Sequence, residues 1–198
     1  MTGRPLRFRG GPRERARERF AIPAEDDCVL VFGGSLGAGT INRAAVEGLA
    51  DGPFHVLHVA GRRDYPGLAA RPLRAGYDLR EYLELEEFAW ALSAADLVVA
   101  RAGSSVLEIA AHGLPSILVP YPHATADHQL ANARFMEQAG AALVILDGEL
   151  SPERLAREVS ALLRDRPRLQ AMALAARRLA RPDAAREIAD ELLEAAGA

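Results

Sequence analysis

The chain has 198 residues, 49% of them hydrophobic, and a formal net charge of −3. That length and composition favour one domain with a substantial core, and the charge gives no global basic field for nucleic acid or a membrane surface. All 24 basic residues are Arg, which excludes a lysine Schiff base and a P-loop lysine, and the single Cys28 excludes an internal disulfide or a cysteine metal cluster. Cys28 lies in an apolar run and reads as a small buried hydrophobe.

No apolar stretch approaches the ~20 residues of a transmembrane helix. The basic opening 1–20 lacks the apolar region of a signal peptide. The expectation is a cytoplasmic protein, at most peripheral to a membrane. Residues 1–24 read as a hinge or linker arm. Seven Arg fall among the first 19 residues, with Glu14 and Glu18 between them, which suits a solvated arm or helix better than a lipid-binding patch, and a core pattern begins only at Arg13–Phe20. The domain proper is expected over 25–198.

Along it, 27–34 ("DCVLVFGG") is a buried strand ending in glycines, and 38–50 is helical. Residues 54–61 form a second strand and 77–84 a weaker third. A helix over 85–95 precedes the strand 96–100, and a helix over 105–112 precedes the strand 115–121. A loop at 122–127, a helix at 128–139 and a strand at 141–146 follow. From Ser151 the pattern is helical, divided by Pro167 and Pro182 into about three helices. Short strands alternating with helices predict an α/β fold with a mainly parallel sheet, where ligands bind beyond the carboxyl ends of the strands.

Three motifs sit at such ends. In "VFGGSLGAGTIN" (31–42) a strand passes through a glycine turn into a helix, whose N-terminal N–H groups suit a phosphate. Ser35 adds a hydroxyl. A tight turn with no ligand is equally compatible. The G-x-G-x-x-G pattern fails because of Ser35, and "GSLGAGT" lacks the P-loop lysine. In "RAGSSVLEIAAHG" (101–113), Ser105 and Glu108 have capping-box spacing. A carboxylate at that place also matches a ribose diol, and one side chain cannot serve both. In "VPYPHATADHQLANA" (119–133), Asp127 fits a helix N-cap. His123, His128, Gln129 and Asn132 offer groups that match sugar hydroxyls. The spacing of these groups does not suit a metal.

Together "FGGSLGA", "RAGSSVLEIAAHGLPSILVPYPHATADHQLANA" and "EQAGAALVI", with "TGRPLR" (2–7) at the start, resemble the MurG family of peptidoglycan glycosyltransferases, in glycosyltransferase family 28. The resemblance covers the C-terminal half of that family. It implies the GT-B fold, in which two Rossmann-like domains face a cleft. This chain would be the donor-binding Rossmann-like half, with helices on both faces of its sheet and a helical tail. The acceptor-binding N-terminal domain would be absent.

The implied function is inverting transfer of N-acetylglucosamine from UDP-N-acetylglucosamine to undecaprenyl-pyrophosphoryl-muramyl-pentapeptide (lipid I to lipid II). The chain alone would be inactive. It would meet its lipid-linked acceptor through a missing or separate N-terminal domain, on the inner face of the cell membrane. The setting would be cell-wall biogenesis, cell division and cell shape. No nucleic acid, metal or cofactor is implied, UDP-sugar being a substrate.

The family pattern also assigns residues. Gly34, Ser35 and Gly37 would hold the donor diphosphate, with Arg7 approaching the nucleotide. Leu85, or Leu83 in another register, would read uracil through its backbone. Gly103, Ser104 and Ser105 would supply backbone contacts, and Glu108 would bind the ribose diol. Gln129, with His128 and Asn132, would read the sugar hydroxyls. The catalytic base stays unknown, His123 being an outside choice. Leu36 stands where the family carries glutamine, and the 101–108 turn is one residue shorter than the commonest family form. Another UDP-sugar transferase, a UDP-sugar epimerase or a non-catalytic sugar-nucleotide-binding module stay open as alternatives.

Overall fold

The computed structural model describes residues 12–34, 37–181 and 184–195. Six strands make one sheet: β1 (Cys28–Phe32), β2 (His55–Val59), β3 (Tyr77–Arg80), β4 (Leu97–Ala100), β5 (Ser116–Leu118) and β6 (Ala142–Val144). Their order is β3-β2-β1-β4-β5-β6 and every neighbouring pair is parallel. The expected parallel α/β sheet is therefore present. Central β1 and β4 are buried along their whole length. Strands covered on both faces read as continuous apolar runs, which is why these two were clear in the sequence. β3 lies at the edge and is only partly buried, and its pattern is correspondingly weaker.

The helices are α1 (Arg13–Arg19), α2 (Gly39–Gly48), α3 (Tyr65–Ala69), α4 (Leu85–Ala94), α5 (Val106–His112), α6 (His128–Gln138), α7 (Pro152–Arg164), α8 (Arg166–Leu179) and α9 (Ala184–Ala195). Alternate residues of β1 enter opposite cores, as strand periodicity requires. Val29 and Val31 pack with Ile41 and Ala45 of α2 and with Leu155, Val159 and Leu162 of α7. Leu30 and Phe32 pack with Leu92 of α4, Ile109 of α5 and Met136 of α6. The short α3 was not anticipated; it buries no residue, so it leaves no apolar stripe to read.

The tail is punctuated by caps. The Ser151 hydroxyl accepts from the Arg154 N–H (3.1 Å) and opens α7, with Pro152 at its first position. The Asp165 carboxylate accepts from the Arg168 N–H (3.1 Å) and opens α8. Pro at the first turn loses no helical hydrogen bond. No helix among the described residues is long and apolar enough to cross a membrane.

The hinge or linker arm expected over 1–24 gives way to packed structure from Arg13. Residues 1–11 lie outside the described residues. Ala16 is fully buried, and Phe20 and Ile22 join the same core cluster. Arg17 is only 5% exposed. Its guanidinium donates to the carbonyls of Pro23, Ala24 and Asp26 (2.8–2.9 Å) and to Asp96 Oδ2 (2.6 Å). The same Asp96 oxygen accepts the Cys28 N–H (2.9 Å), and the other oxygen pairs with Arg13. Interleaved charge obscured the packing of this helix, because Arg17 and Arg13 serve the domain while Arg15 and Arg19 stay exposed. Cys28 is fully buried, and burial first, then Asp96, pushes its thiol up to about 12.

The chain runs outward from β1 to β3, then crosses back to place β4 on the other side of β1. The carboxyl ends of β1 and β4 flank this switch point, where the connections diverge and leave a crevice.

Candidate functional site

Two turns meet at the crevice. After β1, Gly34 (φ 97°) and Gly37 (φ 89°) take left-handed conformations. The Gly37 N–H donates to the Gly34 carbonyl (2.9 Å). A Cβ on Gly37 would run into the Ala60 carbonyl and lie 2.8 Å from Asp64 Oδ2, so conformation and space both require glycine there. The first helical bond of α2 runs from the Asn42 N–H to the Ala38 carbonyl (2.8 Å). The N–H groups of Gly39, Thr40 and Ile41 therefore have no partner within the helix, and the positive end of its dipole faces the turn. Arg7, Ser35 and Leu36 lie outside the described residues.

After β4 come Arg101, Ala102, Gly103, Ser104 and Ser105. A Cβ on Gly103 would meet nothing within 4 Å, so the backbone is open to close approach. Ser105 stands at the N-cap of α5 with helical dihedrals (φ −59°, ψ −12°), and its side chain makes no cap bond. A capping box needs an extended cap residue whose hydroxyl meets the third amide. That box is not formed. The Glu108 carboxylate, half-buried, makes no hydrogen bond among the described residues. Its backbone carbonyl accepts from His112 Nδ1–H (2.9 Å).

The third motif packs against the second of these turns. Gln129 Oε1 accepts the Tyr121 N–H (3.0 Å), and Asn132 Nδ2 donates to the Ala102 carbonyl (3.0 Å). Asn132 thereby joins α6 to the turn that carries Gly103 and Ser104. His128 Nδ1–H donates to the Thr125 carbonyl (2.8 Å). Asp127 occupies the N-cap position of α6 without a cap bond, because its backbone is left-handed (φ 52°), like that of Ala126 (φ 50°). Its expected capping role is not realised. His123 packs edge-on against Tyr121, with ring centroids 5.6 Å apart. Leu85 is the first residue of α4 and 51% exposed, whereas the Leu83 side chain is buried in the core.

Two polar clusters brace this edge, and the sequence reading assigned neither. On the β4 side, Arg101 is 9% exposed. Nη1 meets Asp147 Oδ1 (2.6 Å) and donates to the carbonyls of Val119 (3.1 Å) and Pro120 (3.3 Å); Nη2 donates to Thr40 Oγ1 (2.8 Å). The Thr40 hydroxyl donates in turn to Asp147 (2.6 Å). On the β2 side, the fully buried His58 lies between Tyr77 and Asn42. Burial holds the His58 imidazole down to about 4, so the ring is neutral. The signal was visible as single polar residues inside apolar strands, an Arg after "DLVVA" and a His within "HVLHV". Their partners are distant in sequence, so periodicity could not supply them.

Two grooves, of about 400 and 460 Å³, lie away from the glycine turn and Glu108. The larger carries Arg13, Arg166, Arg177 and His112 beside the C-terminal ends of α4 and α5, where helix carbonyls favour cations. Among the described residues, no three His, Cys, Asp or Glu side chains gather as a metal site would need.

Residues 28–188 match the model of a family described as the glycosyltransferase family 28 C-terminal domain. A UDP-N-acetylglucosamine–N-acetylmuramyl-(pentapeptide) pyrophosphoryl-undecaprenol N-acetylglucosamine transferase of Moorella thermoacetica is 42% identical over 98% of this chain and 56% of its own length. The enzyme of the same name from Halorhodospira halophila is 42% identical over 95% of this chain and 54% of its own. Among solved structures, MurG of Acinetobacter baumannii superposes with a TM-score of 0.76 at 30% identity, over 94% of this chain and 54% of that one. An S. aureus MnaA–UDP co-structure, at 14% identity and a TM-score of 0.71 over 92% of this chain and 48% of that one, shares the fold. The chain thus spans about half the length of the curated relatives it matches.

Proposed function

The chain belongs to glycosyltransferase family 28, of which it carries the C-terminal domain, and on this premise we propose that it binds UDP-N-acetylglucosamine as the donor half of a hexosyltransferase. The reaction is inverting transfer of N-acetylglucosamine to undecaprenyl-pyrophosphoryl-muramyl-pentapeptide, in peptidoglycan synthesis. The protein works at the inner face of the cell membrane, where such an acceptor is held. The acceptor is bound by sequence corresponding to the other half of the relatives. The observation that carries the reading is Glu108, a half-buried carboxylate beside the switch point that caps no helix.

In this reading the Glu108 carboxylate accepts both hydroxyls of the ribose. The backbone at Leu85 reads uracil, and Gly103, Ser104 and Ser105 supply backbone contacts. The glycine turn at Gly34 and Gly37, with Ser35 and Arg7, holds the diphosphate against the start of α2. As the acceptor hydroxyl attacks C1 of the sugar, negative charge grows on the departing UDP. The N–H groups of Gly39, Thr40 and Ile41 stand ready for that charge without reorganising. The Thr40 hydroxyl is committed to Asp147, so only its amide can contribute. Gln129 keeps its Nε2 and Asn132 its Oδ1 for sugar hydroxyls, with His128 beside them. The base that takes the acceptor proton is assigned to no residue of this chain.

Calorimetric titration with UDP, UDP-N-acetylglucosamine and ADP tests this. The uridine ligands bind and ADP does not. Glu108→Ala weakens UDP by roughly tenfold or more, the effect of losing hydrogen bonds to a charged acceptor. Its unfolding free energy stays within about 0.5 kcal/mol of the parent, as for a surface change that breaks no cap. Loss of stability with unchanged UDP affinity would return Glu108 to a capping role and sink the reading.

A further inference from the structure

His58 is the fourth of the five residues of β2, completely buried on the face where Asn42 of α2 meets it. Burying an imidazole is costly unless both nitrogens are satisfied, and here they are. Nδ1 is 2.8 Å from the Tyr77 hydroxyl and Nε2 is 3.0 Å from Asn42 Oδ1. Asn42, 1% exposed, donates from Nδ2 to the Ala60 carbonyl and to Asp64 Oδ2, both at 2.8 Å.

The direction of every bond follows from chemistry alone. The Ala60 carbonyl can only accept, so the Asn42 amide nitrogen must face it. Asn42 Oδ1 then faces His58 and can only accept, so Nε2 carries the ring proton. Nδ1 of a neutral ring is left as an acceptor, and the Tyr77 hydroxyl must donate to it. The chain therefore runs one way, from Tyr77 through His58 and Asn42 to Ala60 and Asp64. Every donor hydrogen of Tyr77, His58 and Asn42 is committed within the chain, and the ring is fully buried, so the role that fits it is mechanical rather than acid–base.

The end of the chain says what is held. The Ala60 carbonyl and Asp64 Oδ2 are the two atoms against which Gly37 is seated, the first so close that no Cβ fits between. The neighbouring backbone is held by β3, through the Ala60 N–H to the Arg80 carbonyl, and Asp64 also accepts from exposed Arg63, but the Asn42 amide is the group that bonds both oxygens at once and ties them to the helix the turn opens. Apolar side chains of similar volume would fill the same space but could not hold two oxygens in place.

We propose that Tyr77, His58 and Asn42 are positioning residues that set the glycine turn for a diphosphate. This rests on the reading of that turn as the diphosphate site. The test is titration of the full chain with UDP and with uridine, which lacks the diphosphate, alongside thermal unfolding. Asn42→Asp turns the donor into an acceptor facing two oxygens, and should cost roughly tenfold in UDP affinity while leaving uridine affinity unchanged. Tyr77→Phe deletes the first donor at almost constant volume. It should shift the UDP-to-uridine affinity ratio in the same direction by about threefold, and it carries the test if Asn42→Asp does not fold. Nitrogen-15 shifts of His58 should show the proton on Nε2. The inference is overturned if folded variants bind UDP as the parent does, or lose UDP and uridine affinity in equal proportion. If the parent itself binds UDP no more tightly than uridine, the diphosphate reading falls first and takes this inference with it.

Discussion

Two polar clusters brace the carboxyl edge of the sheet, one on each side of the switch point, and they use opposite chemistry. On the β2 side the elements are joined by neutral groups, Tyr77, His58 and Asn42, whose hydrogen bonds run in one direction. On the β4 side they are joined by a charged pair, Arg101 and Asp147, shared with Thr40 and two carbonyls. A neutral chain depends on keeping a proton off His58, whereas an ion pair depends on keeping both charges together. The first is therefore sensitive to acid and the second to truncation. Both act on the same helix, since Asn42 and Thr40 lie on α2, so the start of that helix is gripped from two sides.

The largest effect should come from separating the charges. Arg101→Met leaves the Asp147 charge with only the Thr40 hydroxyl as a partner and takes the guanidinium from the Val119 and Pro120 carbonyls, and should cost about 3–5 kcal/mol in urea unfolding. Arg101→Met with Asp147→Leu should recover much of that, because the penalty is the stranded charge; no recovery would show that the ion pair is not the point.

Acid is the next lever. His58 titrates near 4 in the fold and near 6.5 when unfolded. Between those values the unfolded chain binds the extra proton. Stability from this group is thus complete above about pH 6.5, falls as pH drops towards 4, and is levelled below it, a span on the order of 3 kcal/mol. His55 is shifted down by burial too and adds a slope of the same sign. Urea titrations of the parent and of His58→Gln across this window read the difference; parallel curves would remove His58 as the source.

Gly37→Ala sharpens the comparison from the turn itself. It combines a left-handed backbone with a blocked Cβ, and should cost about 1–3 kcal/mol. Gly148→Ala, whose Cβ meets nothing within 4 Å, is its control. The smallest effect lies away from both clusters: Ser151→Ala removes the α7 cap and should cost about 1 kcal/mol by urea unfolding.

The fold was legible because its signals are local. "CVLVF" and "LVVA" are apolar throughout because both faces are covered, and Ser151-Pro152 announces a helix start. The three motifs were placed correctly at strand ends, because a glycine turn between a strand and a helix has few other homes. The packing of α1 was not legible, because Arg17 looks like any surface charge until Asp96, 79 residues later, is beside it.

By itself the sequence determined the six strands in chain order, most of the helices between and after them, the parallel sheet and the three motifs at its carboxyl edge. These follow from hydrophobic period, glycine and capping chemistry within short windows. Only the tertiary structure decided that Ser105 and Glu108 form no capping box, that Arg101 is spent on Asp147 rather than offered to a ligand, and that His58 is neutral and fully bonded. Each of those depends on which distant groups burial brings within 3 Å, and no local pattern encodes that.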